Sequence, residues 1–266
     1  MKKILFIIVL NIFLFVLCKK ERDPIAIIQN TIQTIDTISS ISYNQHLIKN
    51  NLQNIDSVVE RDRACMFKKL SGDSITGAET HIYYYSGGVT VFEDIYNGDF
   101  LIRKNHVENS ALFYDLIKYP EIKNSNGFWR KNTPYTIQAL LDFTLKNKND
   151  FKIEILNDTI IDSNECFCIK TSLEDKNTST TYNKYFTKKP GSIEESYFYI
   201  NKKNYYPQKI RIEISEKKQP EKIIFTDYRF YDIIFNQQLN DELFSNQNEN
   251  IKNFNIQNIS PLLNIL

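Results

Sequence analysis

Three histidines (His46, His81, His106) and four cysteines (Cys18, Cys65, Cys166, Cys168) are the residues of this sequence best suited to metal or nucleophilic chemistry. The histidines lie far apart, with no H-x-x-x-H pair and no His/Cys spacing of the kind that grips zinc. No G-x-S-x-G elbow and no phosphate-cradling P-loop occur. His81 falls in a tyrosine-rich strand pattern, where it reads as a rim or hydrogen-bonded histidine. Asp94 and Asp99 flank an expected turn. In "IYYYSGG" (82–88) the tyrosine rings offer flat faces for stacking a sugar or base. On a strand, however, Tyr83 and Tyr85 point to one side and Tyr84 to the other, which suits a strand covered on both sides. These residues imply no enzyme, no metal and no cofactor.

In "CFC" one residue separates Cys166 from Cys168, so on a strand both thiols face the same way. A thioredoxin-type motif needs two intervening residues at a helix start. Two readings remain: a disulfide from Cys65 to one of the pair in an oxidising compartment, or three small buried apolar residues. The second is preferred, because the odd count leaves one thiol over in either case.

Cys18 belongs to a different pattern. Lys2 and Lys3 precede an apolar run from Ile4 to Leu17, interrupted only by Asn11, and charge returns at Lys19. A membrane-spanning helix needs roughly 20 apolar residues, so this run is short and suits a signal-peptide core at 1–17. Ordinary cleavage wants small residues where Phe15 and Leu17 stand. A cysteine at this place resembles a bacterial lipobox, with Leu17 a departure from its small-residue preference. Cys18 is therefore expected to be an acylated N-terminus, a plain signal or uncleaved anchor being the other readings. Residues 18–23 then form a tether, and the acyl chains hold the protein on the membrane. "KKERD" after Cys18 loosely resembles the signal that sends some Bacteroidetes lipoproteins to the cell surface.

Removing 1–17 leaves 266 − 17 = 249 residues; 33 − 2 = 31 basic residues then face 32 acidic ones, a balance of −1. Nothing in that balance recruits nucleic acid. With 18 Phe and 16 Tyr against 7 Gly and 7 Pro, the chain is expected to be globular and strand-rich.

The elements that would position these residues follow from periodicity. Asp23-Pro24 opens a helix with Ile25, Ile28, Ile32 and Ile35 as its apolar stripe. Alternation over 41–48, 63–70, 80–86 and 89–96 predicts strands, and Asn97-Gly98 predicts a hairpin with a type I′ turn. "NSALFYDLIKY" (109–119) predicts a short helix. A second helix is expected within 132–149, with Thr133 as N-cap, Pro134 at its first position and Ile137, Leu140, Leu141 and Leu145 facing the core. Trp129 just precedes it, either pinning this helix or covering a pocket mouth. Strands return at 151–156, 166–172, 182–187, 196–201, 205–214 and 221–233, with turn-sized spacers that predict an antiparallel meander. The order indicates an α+β domain over 24–245 with one large antiparallel sheet. Residues 246–266 are expected to be an Asn-rich surface tail.

The stretch 199–245, with Tyr206-Pro207, Phe225, Tyr228, Asp241, Leu243 and Phe244 at its marked places, resembles the C-terminal half of the outer-membrane lipoprotein carrier (LolA-like) family. "FKKLSGDSITGA" and "IYNGDF" further resemble N-terminal segments that precede a thioredoxin-like domain in larger secreted Bacteroidetes lipoproteins. This likeness implies a large curved antiparallel sheet, an incomplete β-barrel lidded by helices, with an apolar interior that holds an acyl chain. Strand parity then places Phe198, Ile200, Ile210, Ile212, Ile214, Tyr228 and Phe230 on the cavity wall, with the helix at 134–146 as lid and Trp129 beside it. Arg61 and Arg63 are the candidates for the family's gating arginine. The expected ligand is a lipid or lipoprotein acyl chain, non-catalytically bound by an exported lipoprotein on the periplasmic or surface face of the outer membrane. The alternative is an envelope scaffold with a filled barrel and a protein partner.

Overall fold

The computed structural model describes residues 22–50, 57–73, 76–124, 133–178, 186–245 and 253–258. Helix α1 (Pro24–Asp36) begins where the sequence places it: the Asp23 carboxylate accepts from the Ile25 N–H at 2.9 Å, and proline occupies the first turn. Its buried stripe is Ile27, Ile28, Thr31 and Ile35, rotated slightly from the expected one, with Ile25 and Ile32 only partly covered. Helix α2 (Pro134–Lys146) is capped by Thr133, whose hydroxyl accepts from the Thr136 N–H at 3.1 Å and donates to the Thr76 carbonyl at 2.8 Å. The two helices pack together over one face of the sheet, here termed the inner face.

The strands are β1 (Ser40–Asn50), β2 (Val58–Lys69), β3 (Ala78–Ser86), β4 (Val89–Tyr96), β5 (Phe100–Asn105), β6 (Ser110–Asp115), β7 (Lys152–Ile161), β8 (Asn164–Thr178), β9 (Phe186–Asn201), β10 (Pro207–Glu216), β11 (Gln219–Phe235) and β12 (Asn255–Asn258). They form one sheet in the order β12-β6-β5-β4-β3-β2-β1-β11-β10-β9-β8-β7. Two meanders, β1–β6 and β7–β11, are joined where β1 pairs antiparallel with β11. The sheet stays open, with β7 and β12 at its edges. The fold is thus α+β, a large open and curved antiparallel sheet lidded by helices.

Three expectations need correction. Residues 110–115 are not helical but pair with β5 one to one, from Phe100↔Asp115 to Asn105↔Ser110. Both faces of this strand are covered: Leu112 and Tyr114 join an inner-face cluster with Tyr96, Leu101, Leu116 and Ile122, while Ala111 and Phe113 join Ile95, Phe100, Ile102 and Phe254 on the outer face. Apolar residues on consecutive positions therefore mask the strand alternation. The hairpin at Asn97-Gly98 forms, but only Gly98 (φ 95°) has a positive φ, so the turn is not type I′. Asn97 instead accepts from the Asp99 and Phe100 N–H groups through its side chain, an Asx-type turn. Within the expected tail, residues 255–258 form β12, which adds parallel to β6.

The main core lies between the inner face and the helices, built from Ile28, Ile35, Tyr43, Phe67, Ile137, Leu141, Phe198, Ile200, Ile210, Phe230 and their neighbours. Tyr135 of α2 reaches into it and donates to the Ile38 carbonyl at 2.9 Å.

Candidate functional site

Cross-strand partners in an antiparallel sheet share a face, so the registers lay out the inner face as rows. One row runs Arg61, Leu47, Tyr228, Ile210, Phe198, Ile169, Ile155 from β2 to β7. The next row outward runs Val59, Lys49, Thr226, Ile212, Ser196, Thr171. Beyond it lie Ile224, Ile214, Glu194 and Leu173. Phe198, Ile200, Ile210 and Phe230 are buried under the helices, whereas Ile212, Ile214, Ile224 and Tyr228 remain partly exposed toward the open end. There Ile214 and Ile224 line an open groove of about 190 Å³ together with Lys189, Ser215, Glu216, Gln219 and Lys222.

All seven strand residues placed by parity therefore lie on one face, four of them buried in the core and three partly exposed at its margin. Trp129 and Cys18 lie outside the described residues. Cys65, Cys166 and Cys168 are free and buried. Cys65 sits on the inner face of β2 opposite Tyr43, while Cys166 and Cys168 point to the outer face of β8, five strands away in the sheet order. That separation excludes a disulfide from Cys65 to either of them. Burial pushes the Cys166 thiol up to about 11 and also raises Cys168, so both stay protonated.

The inner face also carries a polar line that sequence reasoning did not assemble. Arg63 Nη1 donates to Gln45 Oε1 at 3.0 Å, and its guanidinium stacks 4.9 Å from the Tyr84 ring centre. Tyr84 donates to Asp94 at 2.8 Å, and Asp94 is held by Arg103 through Nε (2.8 Å) and Nη2 (2.9 Å). Burial, then the Asp94 charge, pushes the Tyr84 phenol well above its usual range. At the open end Glu194 accepts from the Thr178 N–H at 3.0 Å and from its hydroxyl; burial raises its carboxyl.

On the outer face, strand pairing gathers residues that are remote in sequence. The Glu93 carboxylate receives His81 Nε2 at 2.8 Å, Lys104 Nζ at 2.8 Å and His106 Nε2 at 3.0 Å. His81 and Lys104 are fully buried, and Phe254 covers Lys104 and His106. Burial alone would raise Glu93; the hydrogen bonds from His81 and Lys104, with the Lys104 charge, overturn that and hold its carboxyl at about 2. Every acceptor position of the carboxylate that these donors use is committed, so the cluster is a structural tie. Among the described residues no group of three or more His, Cys, Asp or Glu side chains could hold a metal ion. Nor, among them, is any helix long and apolar enough to cross a membrane.

The class defined by these features is an open half-barrel with helices over its inner face. Several solved structures resemble it in outline. The lipoprotein LppX of Mycobacterium tuberculosis matches with a TM-score of 0.48 at 8% identity, over 82% of this chain and 97% of that one. A chain of the Pseudomonas aeruginosa MucA/MucB complex matches at 0.48 and 6% identity, over 85% of this chain and 62% of that one. A LolA superfamily protein of Nitrosomonas europaea matches at 0.35 and 11% identity, over 83% and 96%. No protein-family model matches the sequence. No curated protein matches it either.

Proposed function

We propose that this chain is an envelope lipoprotein, anchored through an acylated Cys18, whose half-barrel binds an acyl chain or similar apolar ligand without chemical conversion. The observation that carries this reading is the partly exposed apolar margin of the inner face. Tyr228 and Ile212 pack against the core and, with Ile214 and Ile224, continue its rows while staying partly exposed. A contiguous apolar surface left open on a folded domain marks a binding site. The resemblance of 199–245 to lipoprotein carriers points to the same ligand class, and the tether makes a receiving or sensing role more apt than shuttling. The outer membrane is the proposed location, on its periplasmic or surface face.

The full burial of Phe198, Ile200 and Phe230 favours a second reading, a rigid envelope scaffold for a protein partner. One preparation separates the two. Protein purified from membranes in mild detergent is weighed intact and then extracted with organic solvent. The proposed function predicts a diacyl or triacyl mass on a chain starting at Cys18, absent after Cys18→Ala, together with extractable lipid in both forms. A stoichiometric protein partner with no extractable lipid supports the scaffold instead.

A further inference from the structure

The arginines of this sheet differ in what they hold. Arg103 and Arg229 each use the Nε–Nη2 edge of the guanidinium to grip a carboxylate, those of Asp94 and Asp162. Arg211 is paired with Glu213 and Asp227. Among the described residues Arg63, on the inner face, has a buried Nε without a hydrogen-bond partner, its hydrogen bond to Gln45 using the opposite corner, Nη1. A buried guanidinium donor left unpaired is costly, and its planar edge matches a carboxylate or phosphate oxygen pair.

Arg63 is not isolated. Arg61 stands two residues along the same face of β2, and Lys49 lies opposite Val59 on β1, both exposed. Among the described residues neither forms an ion pair, and no carboxylate faces them in the adjoining rows of β1, β2 and β11. Directly beside this corner, in the rows of Arg61 and Lys49, lie Tyr228 and Ile212, partly exposed. Unopposed positive charge thus abuts an apolar floor.

We infer that the ligand of the inner face is an anionic amphiphile, whose acidic headgroup is seated at the corner of Lys49, Arg61 and Arg63 while its acyl chain lies over Tyr228 and Ile212. This rests on the acyl-binding reading and narrows its ligand class. The part of the rows that is not buried, Val59, Lys49, Thr226 and Ile212 from β2 to β10, covers three strand steps, about 14 Å at ~4.8 Å each, close to the ~15 Å of one acyl layer of a bilayer.

The test is displacement of Nile red, a neutral apolar dye, from the mature chain carrying Cys18→Ala, using submicellar oleate, 1-oleoyl lysophosphatidate and methyl oleate. The acids are expected to displace the dye about tenfold more tightly than the ester, the worth of one charge-assisted contact; the tighter acid identifies the source, fatty acid or phospholipid. Paired Lys49→Gln and Arg61→Gln, both on exposed side chains, should erase that preference and leave methyl oleate unchanged. Arg63→Gln should do the same, with Arg63→Lys recovering part of it. Lys203→Gln, on an exposed residue of the β9–β10 turn away from the inner face, should change nothing. An ester as tight as the acids, or a preference that survives all the corner substitutions, overturns the headgroup site alone. If Nile red does not bind, or no lipid displaces it, the acyl-binding reading falls and this inference with it.

Discussion

Glu93 shows how a single residue couples to the fold. Its carboxyl is held at about 2 against an ordinary 4.5, so the ionised form is the one the folded state favours. A carboxyl lowered in this way contributes its full stabilisation above 4.5 and loses it as pH falls from there toward 2. The difference corresponds to about 3 kcal/mol. Urea unfolding at pH 7 should therefore find Glu93→Gln less stable by roughly that amount, and the gap should close by pH 2. A gap of constant size across this range would mean that charge is not what Glu93 contributes. The Asn97-Gly98 hairpin beneath this cluster was legible but its register was not: a two-residue type I′ turn would pair Tyr96 with Asp99 and put Ile102 opposite Glu93, whereas the longer turn pairs Tyr96 with Leu101 and Glu93 with Lys104. The approach of His81 and His106 was not legible either, because it depends on the β3–β4 register and on a turn at 106–109 that no local signal specifies.

At the scale of elements, the helices were readable because their ends carry chemistry as well as periodicity. Thr133 is the clearest instance: fully buried, it caps α2 and ties it to the Thr76 carbonyl. Thr133→Ala removes both bonds and should cost about 1–2 kcal/mol in chemical denaturation, whereas Thr133→Ser should restore most of it. Gly77 constrains the same junction from the other side, with φ +67° and an added Cβ only 2.8 Å from the Tyr135 Cβ. Gly77→Ala should lower stability by more than ~1 kcal/mol; a melting temperature equal to wild type would show that α2 shifts freely. Strand β6 was missed for the opposite reason, since both its faces are buried and its composition suits a helix equally well. The apolar wall of 198–230 was legible because the period-2 rule survives in β9, β10 and β11, which face water on one side. The arginine corner was named only as a candidate; the Nε of Arg63, unpartnered among the described residues, is a matter of side-chain geometry.

For the whole molecule, the antiparallel meander followed from short spacers, but the junction of β1 with β11 did not. Nothing local in either strand names the other. Amide hydrogen exchange should be slowest in β1, β2 and β11, which have ladders on both sides, and fastest at β7 and β12, each paired on one side only. Protection in β7 equal to that in β1 would indicate that its open edge is covered in solution.

The β1–β11 pairing also sets an order of events. Ile41 meets Phe235, a partner 194 positions further on (235 − 41). A chain emerging from its N-terminus can zip β1 through β6 by near neighbours, yet β1 must keep one flank of bare N–H and C=O groups until almost the last strand arrives. Long-range closure of this kind is slow, and a waiting strand edge invites the wrong partner. The chain is therefore most prone to mispairing before β11 has joined β1.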